Sequence, residues 1–580
     1  MVSNYRYILY ALVYLKQYWK KLIFILATSG IGIVLSLIPV EIFRRLIDIA
    51  IPAKDLPMVF NMLLIVFGIH LILLVIGYIQ DLTITKLNMD ITRKMQSDFF
   101  NKLLHVPATY YEQFNAGQLM ERVIDDTEET VDSTFDLILT PILDVIGIII
   151  TIIYMFITSA QLTLVALAFV PVFILITFSV NRIVRKKYTK IKNSYADVFN
   201  IIQEKFARVK EVITHNQVKY ETNDLTKHIK SYNDLEYDYE KFSLKLGSVT
   251  SIIADLAPYA ILVYATILII KGKFEIGTLL AFSMLMPRLF EPVQELAGKE
   301  LDFQTLGVTA KRVFSILHDA KIMPEGEKKL KEGEVEGRIE FRKVDFDFPE
   351  TKLFQKFNLT LEPNRLIAIV GGSGTGKSTI FNLLLRLLNV KKGNILLDGK
   401  DISSYSTESL RHHIAIVNQK PVLFSGTVLF NILYGHPTQK TSIKDVFRVA
   451  NLVNIHKSIL KLPKRYKTFI HEAGGRLSAG EAHRITIARA IIRNPKILLL
   501  DDPTAGLDTD STLHLVTSLE KLKEGRTVIV VTADPNILAK ADEIIILDRK
   551  RKATEVMEKG TYTDLLKRSE IFRTIVTKTK

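Results

Sequence analysis

Six long apolar runs crowd the first 300 residues, and they limit the fold more than any other feature. They are roughly Leu22–Val40, Met58–Gln80, Leu137–Thr158, Leu162–Val180, Gly247–Ile270 and Ile276–Leu296. Each is close to the ~20 residues that a helix needs to cross a bilayer. The fourth run carries no charge at all. One such run fits the buried helix of a large soluble domain, but six do not. The first half of the chain is therefore expected to be an all-α, six-helix transmembrane domain. The last two runs are less uniform. Asp255 sits inside the fifth, and Arg288 and Glu291 sit between Pro287 and Pro292 in the sixth. Ionisable groups at membrane depth face a bundle interior or a wet pathway. The other reading places these residues near the membrane surface.

Composition agrees. The 48% hydrophobic content is too high for a disordered chain. The net charge of +15 raises the question of nucleic acid. The basic residues cluster beside the apolar runs, however, as in Lys16–Lys21 and Arg182–Lys192, so anionic lipid headgroups explain them better. The expected partner surface is a lipid bilayer, with no nucleic acid. Tyr5, Tyr7, Tyr10, Tyr14, Tyr18 and Trp19 precede the first run and read as an interfacial amphipathic helix, not a cleaved leader. The absence of cysteine excludes disulfides, thiol catalysis and thiolate metal sites. The 12 histidines are scattered, without metal-ligand spacing.

Two long charged connections, Asp81–Phe135 and Asn181–Leu246, separate the second run from the third and the fourth from the fifth. Such connections belong on the cytoplasmic side, which puts the N-terminus and the C-terminal half in the cytoplasm of a multi-pass cell-membrane protein. A helix over Leu301–Leu317 is expected after the sixth run, then a charged, apolar-poor linker around Met323–Glu336. The expected divisions are a membrane domain over 1–318, a linker over 319–337 and a second domain over 338–580. In that last domain short strands and helices alternate, an α/β pattern.

The second domain announces its chemistry at Gly371-Gly372-Ser373-Gly374-Thr375-Gly376-Lys377-Ser378, followed by Thr379. It fits the G-x-x-x-x-G-K-[S/T] phosphate loop at every fixed position. Glycines let the backbone wrap an anion with its N–H groups pointing inward. Lys377 reaches the β and γ phosphates, and Ser378 holds Mg²⁺. Leu366–Val370 reads as a buried strand before the loop, and Thr379–Leu388 as a helix after it, whose dipole favours phosphate. The chain is expected to bind a nucleoside triphosphate and Mg²⁺. A second buried strand, Lys496–Leu500, ends in Asp501 and Asp502. That arrangement places Asp501 beside the Mg²⁺ and Asp502 beside the attacking water. Leu477-Ser478-Ala479-Gly480-Glu481 opens a further helix. Its spacing fits either a phosphate contact or a plain helix cap.

Taken together, these features resemble an ABC exporter half-transporter over nearly all of the chain. The resemblance implies a P-loop NTPase domain with a helical subdomain and a translocase activity driven by ATP. It assigns the Walker A role to Lys377 and Ser378, Walker B to Asp501, the adenine-stacking aromatic to Phe348, and the Q-loop to Gln419, also near Mg²⁺. Ser478, Ala479, Gly480 and Glu481 take the place of the signature that meets the partner's ATP. Ala505–Asp508 matches the D-loop, and Glu472 the acidic residue that meets the coupling helices. Tyr111–Leu119 resembles the first coupling helix and Arg208–Glu221, less distinctly, the second.

The departures from the family pattern carry their own expectation. The family's catalytic Glu is Asp502 here, one methylene shorter. Its switch histidine falls on Ala533, which cannot contact phosphate. The signature has Ala479 for Gly and Glu481 for Gln. Family sites form head to tail between two nucleotide domains. A homodimer would carry two impaired sites, and a heterodimer one impaired and one competent site. The heterodimer with a second half-transporter is the preferred expectation and the homodimer the alternative. The expected function is outward transport of an amphiphile, such as a drug, lipid or peptide. The alternative is a nucleotide-gated regulatory or sensor subunit with little hydrolysis of its own.

Overall fold

A computed structural model describes the chain apart from residues 1, 112, 113, 115, 332, 349, 350, 436–440, 472–476, 506–508, 551, 552, 579 and 580. The chain forms two compact units: residues 1–104 with 115–320, and residues 105–114 with 321–580.

The first unit is helical, and every apolar run lies on helix. The first run covers Trp19–Leu35 and Ile38–Arg45, broken just ahead of Pro39, whose ring is accepted most readily in the first turn of a helix. The other five lie in Leu56–Leu104, Thr127–Thr158, Ala160–Ala207, Val218–Ile270 and Ile276–Phe314. Among the described residues, Trp19–Ala50, Leu56–Leu104, Ala116–Thr158 and Ile276–Leu296 are long and apolar enough to cross a bilayer. The shorter apolar stretches Ala160–Ile176 and Pro258–Ile270 belong to helices of 48 and 53 residues. Phe60, Leu64 and Leu74 face outward at 71%, 70% and 68% exposure, a pattern that suits lipid. The helix expected over Leu301–Leu317 continues the sixth run without a break to Phe314 and ends in a π turn, Ser315–Asp319.

Inside the bundle, Leu37, Met155, Phe173, Phe282, Leu285 and Leu289 share one apolar core. Polar pins cross it. The half-buried Arg288 guanidinium donates to the hydroxyl and carbonyl of Ser36 on the first run. Arg44, Arg45 and the Tyr154 hydroxyl all converge on the Glu41 carboxylate. The Gly277 N–H donates to Asp48 at 2.6 Å, and a Cβ at Gly277 would collide with the Arg44 carbonyl, so only glycine allows this approach. The side chain of Asp255 lies outside those described. The aromatic N-terminus forms its own helix, Val2–Lys16, which buries Tyr7, Ile8, Ala11 and Leu15 while Leu9 and Val13 stay exposed. Arg6 and Tyr7 bind Asp319, and Tyr10 stacks on His318 at 4.1 Å.

The second unit is built on a six-stranded sheet. Its order is Ala553–Gly560, Glu543–Lys550, Leu366–Gly371, Thr527–Val531, Ile497–Asp501, Ile414–Val417, and only the first pair is antiparallel. Successive side chains on a strand point to opposite faces, and both faces here are covered. Leu366, Ala368, Val370, Leu498, Leu500, Val528 and Val530 enter one core with the helices of the 428–491 region. Ile367, Ile369, Ile497, Leu499, Ile529 and Val531 enter the other. That second core is closed by an antiparallel sheet ordered Lys352–Leu361, Ile339–Asp347, Lys392–Leu397, Lys400–Asp401. This double burial is why these strands read as unbroken apolar runs rather than alternating ones.

Candidate functional site

The phosphate loop leaves the sheet from an interior strand. Leu366–Val370 pairs in parallel with strands on both sides and is fully buried, which fixes where the loop begins. At Gly371 a Cβ would collide with the Leu547 carbonyl. Gly374 and Gly376 have φ of 78° and 83°, a conformation that disfavours L side chains. Gly376 is also the N-cap of the helix Lys377–Leu384, and among the described residues no side chain caps that helix, which leaves its first-turn N–H groups to an anion. Thr375 is buried, and its hydroxyl donates to the Gly372 carbonyl, so it braces the loop from within.

A cleft of about 760 Å³ opens over this loop. It is lined by Gly371, Ser373, Gly374, Gly376, Lys377, Ser378 and Thr379 from the loop and by Gln419, Asp501 and Asp502 at or just beyond the ends of neighbouring strands. The Lys377 ammonium donates to the carbonyls of Gly371 and Gly372 at 2.9 and 2.7 Å. Burial pushes this amine below the usual lysine range, partly offset by the Asp501 and Asp502 carboxylates. The Ser378 hydroxyl donates to Asp501 Oδ2 at 2.7 Å, which sets two hard oxygen donors side by side, the ligand type Mg²⁺ prefers. Gln419 Nε2 donates to Asp502 Oδ2 at 3.1 Å. Burial raises the Asp502 carboxyl, although the Gln419 bond opposes the shift. Asp502 also has φ of 46°, left-handed, and its N–H donates to the Val531 carbonyl at 2.7 Å. The sheet thus ends by turning this carboxylate into the cleft.

Ala533 lines the cleft as well, beside Thr532. Sequence reasoning passed over Thr504, Asp534 and Asn536, which are part of the same lining. Their positions beside Asp502 and Ala533 were the available signal. Phe348 is not among the lining residues. It follows the strand Ile339–Asp347, with its ring edge-on to Phe346 at 5.2 Å.

The signature segment stands apart. Ser478 is the N-cap of the helix Ala479–Ile491 and forms a full capping box with Glu481. The Ser478 hydroxyl accepts from the Glu481 N–H at 3.2 Å, and the Glu481 carboxylate accepts from the Ser478 N–H at 2.9 Å. Ser478 and Ala479 are exposed, Gly480 partly so. Glu472 and residues 506–508 of the D-loop lie outside the described residues, while Ala505 lines the cleft. Of Tyr111–Leu119, the stretch that resembles the first coupling helix, Tyr111 ends the short helix Ala108–Tyr111, Ala116 to Leu119 lie in the helix Ala116–Glu121, and residues 112, 113 and 115 lie outside the description. The second, Arg208–Glu221, holds a separate short helix, Val209–Thr214, between two long ones, with Lys205 bridging Glu221 and Asp224.

Known proteins share this architecture. Residues 22–293 match the family described as ABC transporter transmembrane region, and residues 354–505 the family described as ABC transporter. An ATP-dependent lipid A-core flippase of Nitrosococcus oceani is 31% identical over 487 residues, 82% of this chain and 79% of that protein. A Staphylococcus aureus protein named for multidrug export ATP-binding/permease function is 30% identical over 84% of this chain and 83% of its own length. The structure of a bacterial Atm1-family ABC exporter with ATP bound superposes with a TM-score of 0.82 at 21% identity, covering 97% of this chain and 98% of that one. That last likeness speaks to fold alone. Relatives named for flipping and export do not favour the sensor reading. The chain belongs to the ABC transporter family, as a membrane-bound transport ATPase of the exporter type that acts as a dimer and joins its transmembrane region and ATP-binding domain in one polypeptide.

Proposed function

We propose that this chain is the ATP-binding and permease subunit of an exporter that moves an amphiphilic solute outward. It works as one half of a heterodimer, with its N-terminus and nucleotide domain in the cytoplasm. The names of the relatives, a lipid A-core flippase and a multidrug exporter, favour an amphiphile. Lys377 neutralises the β and γ phosphates. Ser378 and Asp501 would hold Mg²⁺, which would spread the phosphate charge, with Gln419 in the same cleft lining.

The division of labour rests on one observation: the cleft carries Asp502 and Ala533 where a long carboxylate and an imidazole would serve hydrolysis. Asp502 is held by Gln419, and Ala533 offers no hydrogen-bonding side chain. Losing one transition-state contact costs ~10²–10³ in rate. This chain's own site therefore serves binding and domain closure, and the competent site uses the partner's Walker residues with Ser478 and Gly480 of this chain. Purified alone, the chain should turn over ATP well below about 1 s⁻¹, the low end of ordinary enzymes. A verified homodimer turning over at about 1 s⁻¹ or faster would refute the heterodimer.

A further inference from the structure

Both chain entries into the nucleotide-binding unit are tied to the far end of the phosphate-loop helix. That helix begins at Gly376 and ends at Leu384, only ~12 Å away at 1.5 Å per residue. Its exit is a Schellman turn. The Leu387 N–H donates to the Asn382 carbonyl at 2.8 Å and the Arg386 N–H to Leu383 at 3.1 Å, with Arg386 left-handed at φ 51°. Glycine is the usual residue at such a position, because L side chains are strained there. An arginine in its place requires that the side chain do something.

What it does is visible in its contacts. Arg386 is only 4% exposed, and its guanidinium donates to the carbonyls of Tyr405, at 2.6 Å, and of Pro324. Pro324 belongs to the linker that follows the membrane unit. Neighbouring bonds fasten the same linker: the Lys328 N–H to Ser404, the Ser406 N–H back to Lys328, and the Leu330 N–H to the Ser409 hydroxyl. A Cβ at Gly326 would collide with the Ser404 backbone, so the linker runs flat against it. The carbonyls left over at the helix end are equally committed. Arg411 takes those of Leu385 and Arg386, each at 3.0 Å, and the Ala108 N–H takes that of Leu387 at 3.0 Å. Ala108 opens the short helix Ala108–Tyr111, which leads into the segment that resembles the first coupling helix. The Met323 N–H donates to His105, which ties segment and linker to each other.

We propose that Arg386 is a positioning residue for transport. Its guanidinium pins the linker, and its left-handed turn presents Leu387 to Ala108, so the linker and the chain entering the first coupling segment are both fixed to the helix whose other end binds the ATP phosphates. A displacement of the phosphate loop is thereby handed to the two stretches of chain that lead into the membrane unit. Arg386 does not touch nucleotide, so its loss should uncouple rather than unbind.

Arg386→Gly tests this cleanly, since glycine suits the left-handed turn while the guanidinium is deleted. Ala108→Pro is the second variant. It removes only the N–H that donates to Leu387, at the first position of a helix, where proline is accepted. The full chain in lipid nanodiscs is probed with ATP and Mg²⁺, and two quantities are read: ATP affinity, and the ATP-induced change in hydrogen exchange of residues 84–104. Affinity should stay within about twofold of wild type in both variants. The exchange response should fall at least about fivefold, the low end of ordinary site-to-site coupling. If both variants keep the full response, or if the wild type shows none, the turn transmits nothing and the proposal fails. A parallel loss of affinity and thermal stability would also overturn it, because the turn would then merely support the fold. None of these readings depends on whether the partner is a second copy or another subunit.

Discussion

Two helices of the nucleotide-binding unit are proposed to meet phosphate at their N-termini, and the two ends differ. The helix at Gly376 has no side-chain cap, and glycine backbone geometry is all that shapes its entrance. The helix at Ser478 closes on itself, with Glu481 folded back onto the Ser478 N–H. A helix end that awaits an anion must leave its first N–H groups unsatisfied, and a self-capped end has settled part of that demand with its own carboxylate. The first end is built for binding. The second gains stability from the cap and, under the proposed assembly, brings a negative charge to the partner's nucleotide.

The harshest way to break this contrast is at the open end. Lys377→Ala removes charged contacts worth ~1.5–3 kcal/mol each, so ATP affinity at this chain's own site should drop on the order of 10³-fold. Undiminished photolabelling by an ATP analogue would show that the open end is not the binding end. At the closed end, Ser478→Arg should cut the ATPase of the assembled dimer by ~10² or more, while Asp502→Asn lowers it only about two- to threefold. The reverse ranking would mean that hydrolysis belongs to this chain's own cleft. Phe348→Ala should weaken ATP binding about five- to tenfold if the ring turns onto adenine, the size of a lost aromatic contact. No change in affinity would leave Phe348 where it stands now, packed on Phe346. The finest probe is Glu481→Gln. Glutamine still completes the capping box, so thermal stability should hold, while loss of the charge lowers the KM for ATP about threefold, in line with helix-terminus electrostatics. A KM that rises instead would make the carboxylate a helper rather than a competitor.

Much of this was legible in the chain. The apolar runs announced the helices because a bilayer demands length and continuity, and the buried strands announced themselves because a doubly covered sheet needs no polar face. Gly371 to Thr379 could be read as a site because its glycines have steric reasons that a pattern captures. Less could be read where function depends on how a side chain is already engaged. The Ser478 spacing fitted a cap and a phosphate contact equally, and only the Glu481 bonds show the cap formed. Composition has nothing to offer at Arg386, where neither periodicity nor charge pattern distinguishes a buried clamp from a solvated arginine. Thr504, Asp534 and Asn536 reach the cleft through turns whose course no local signal specifies.

The left-handed backbone at Asp502 has an evolutionary consequence. Aspartate and asparagine tolerate that conformation better than longer side chains do. At this position aspartate suits the backbone better than glutamate would, with a carboxylate arm one methylene shorter. Asp502→Glu should therefore lower the unfolding midpoint slightly, and an unchanged or higher midpoint would contradict this. Folding stability offers no protection for the longer carboxylate here. Under the proposed assembly, in which a partner subunit supplies hydrolysis, nothing in the fold would hold a glutamate at this position.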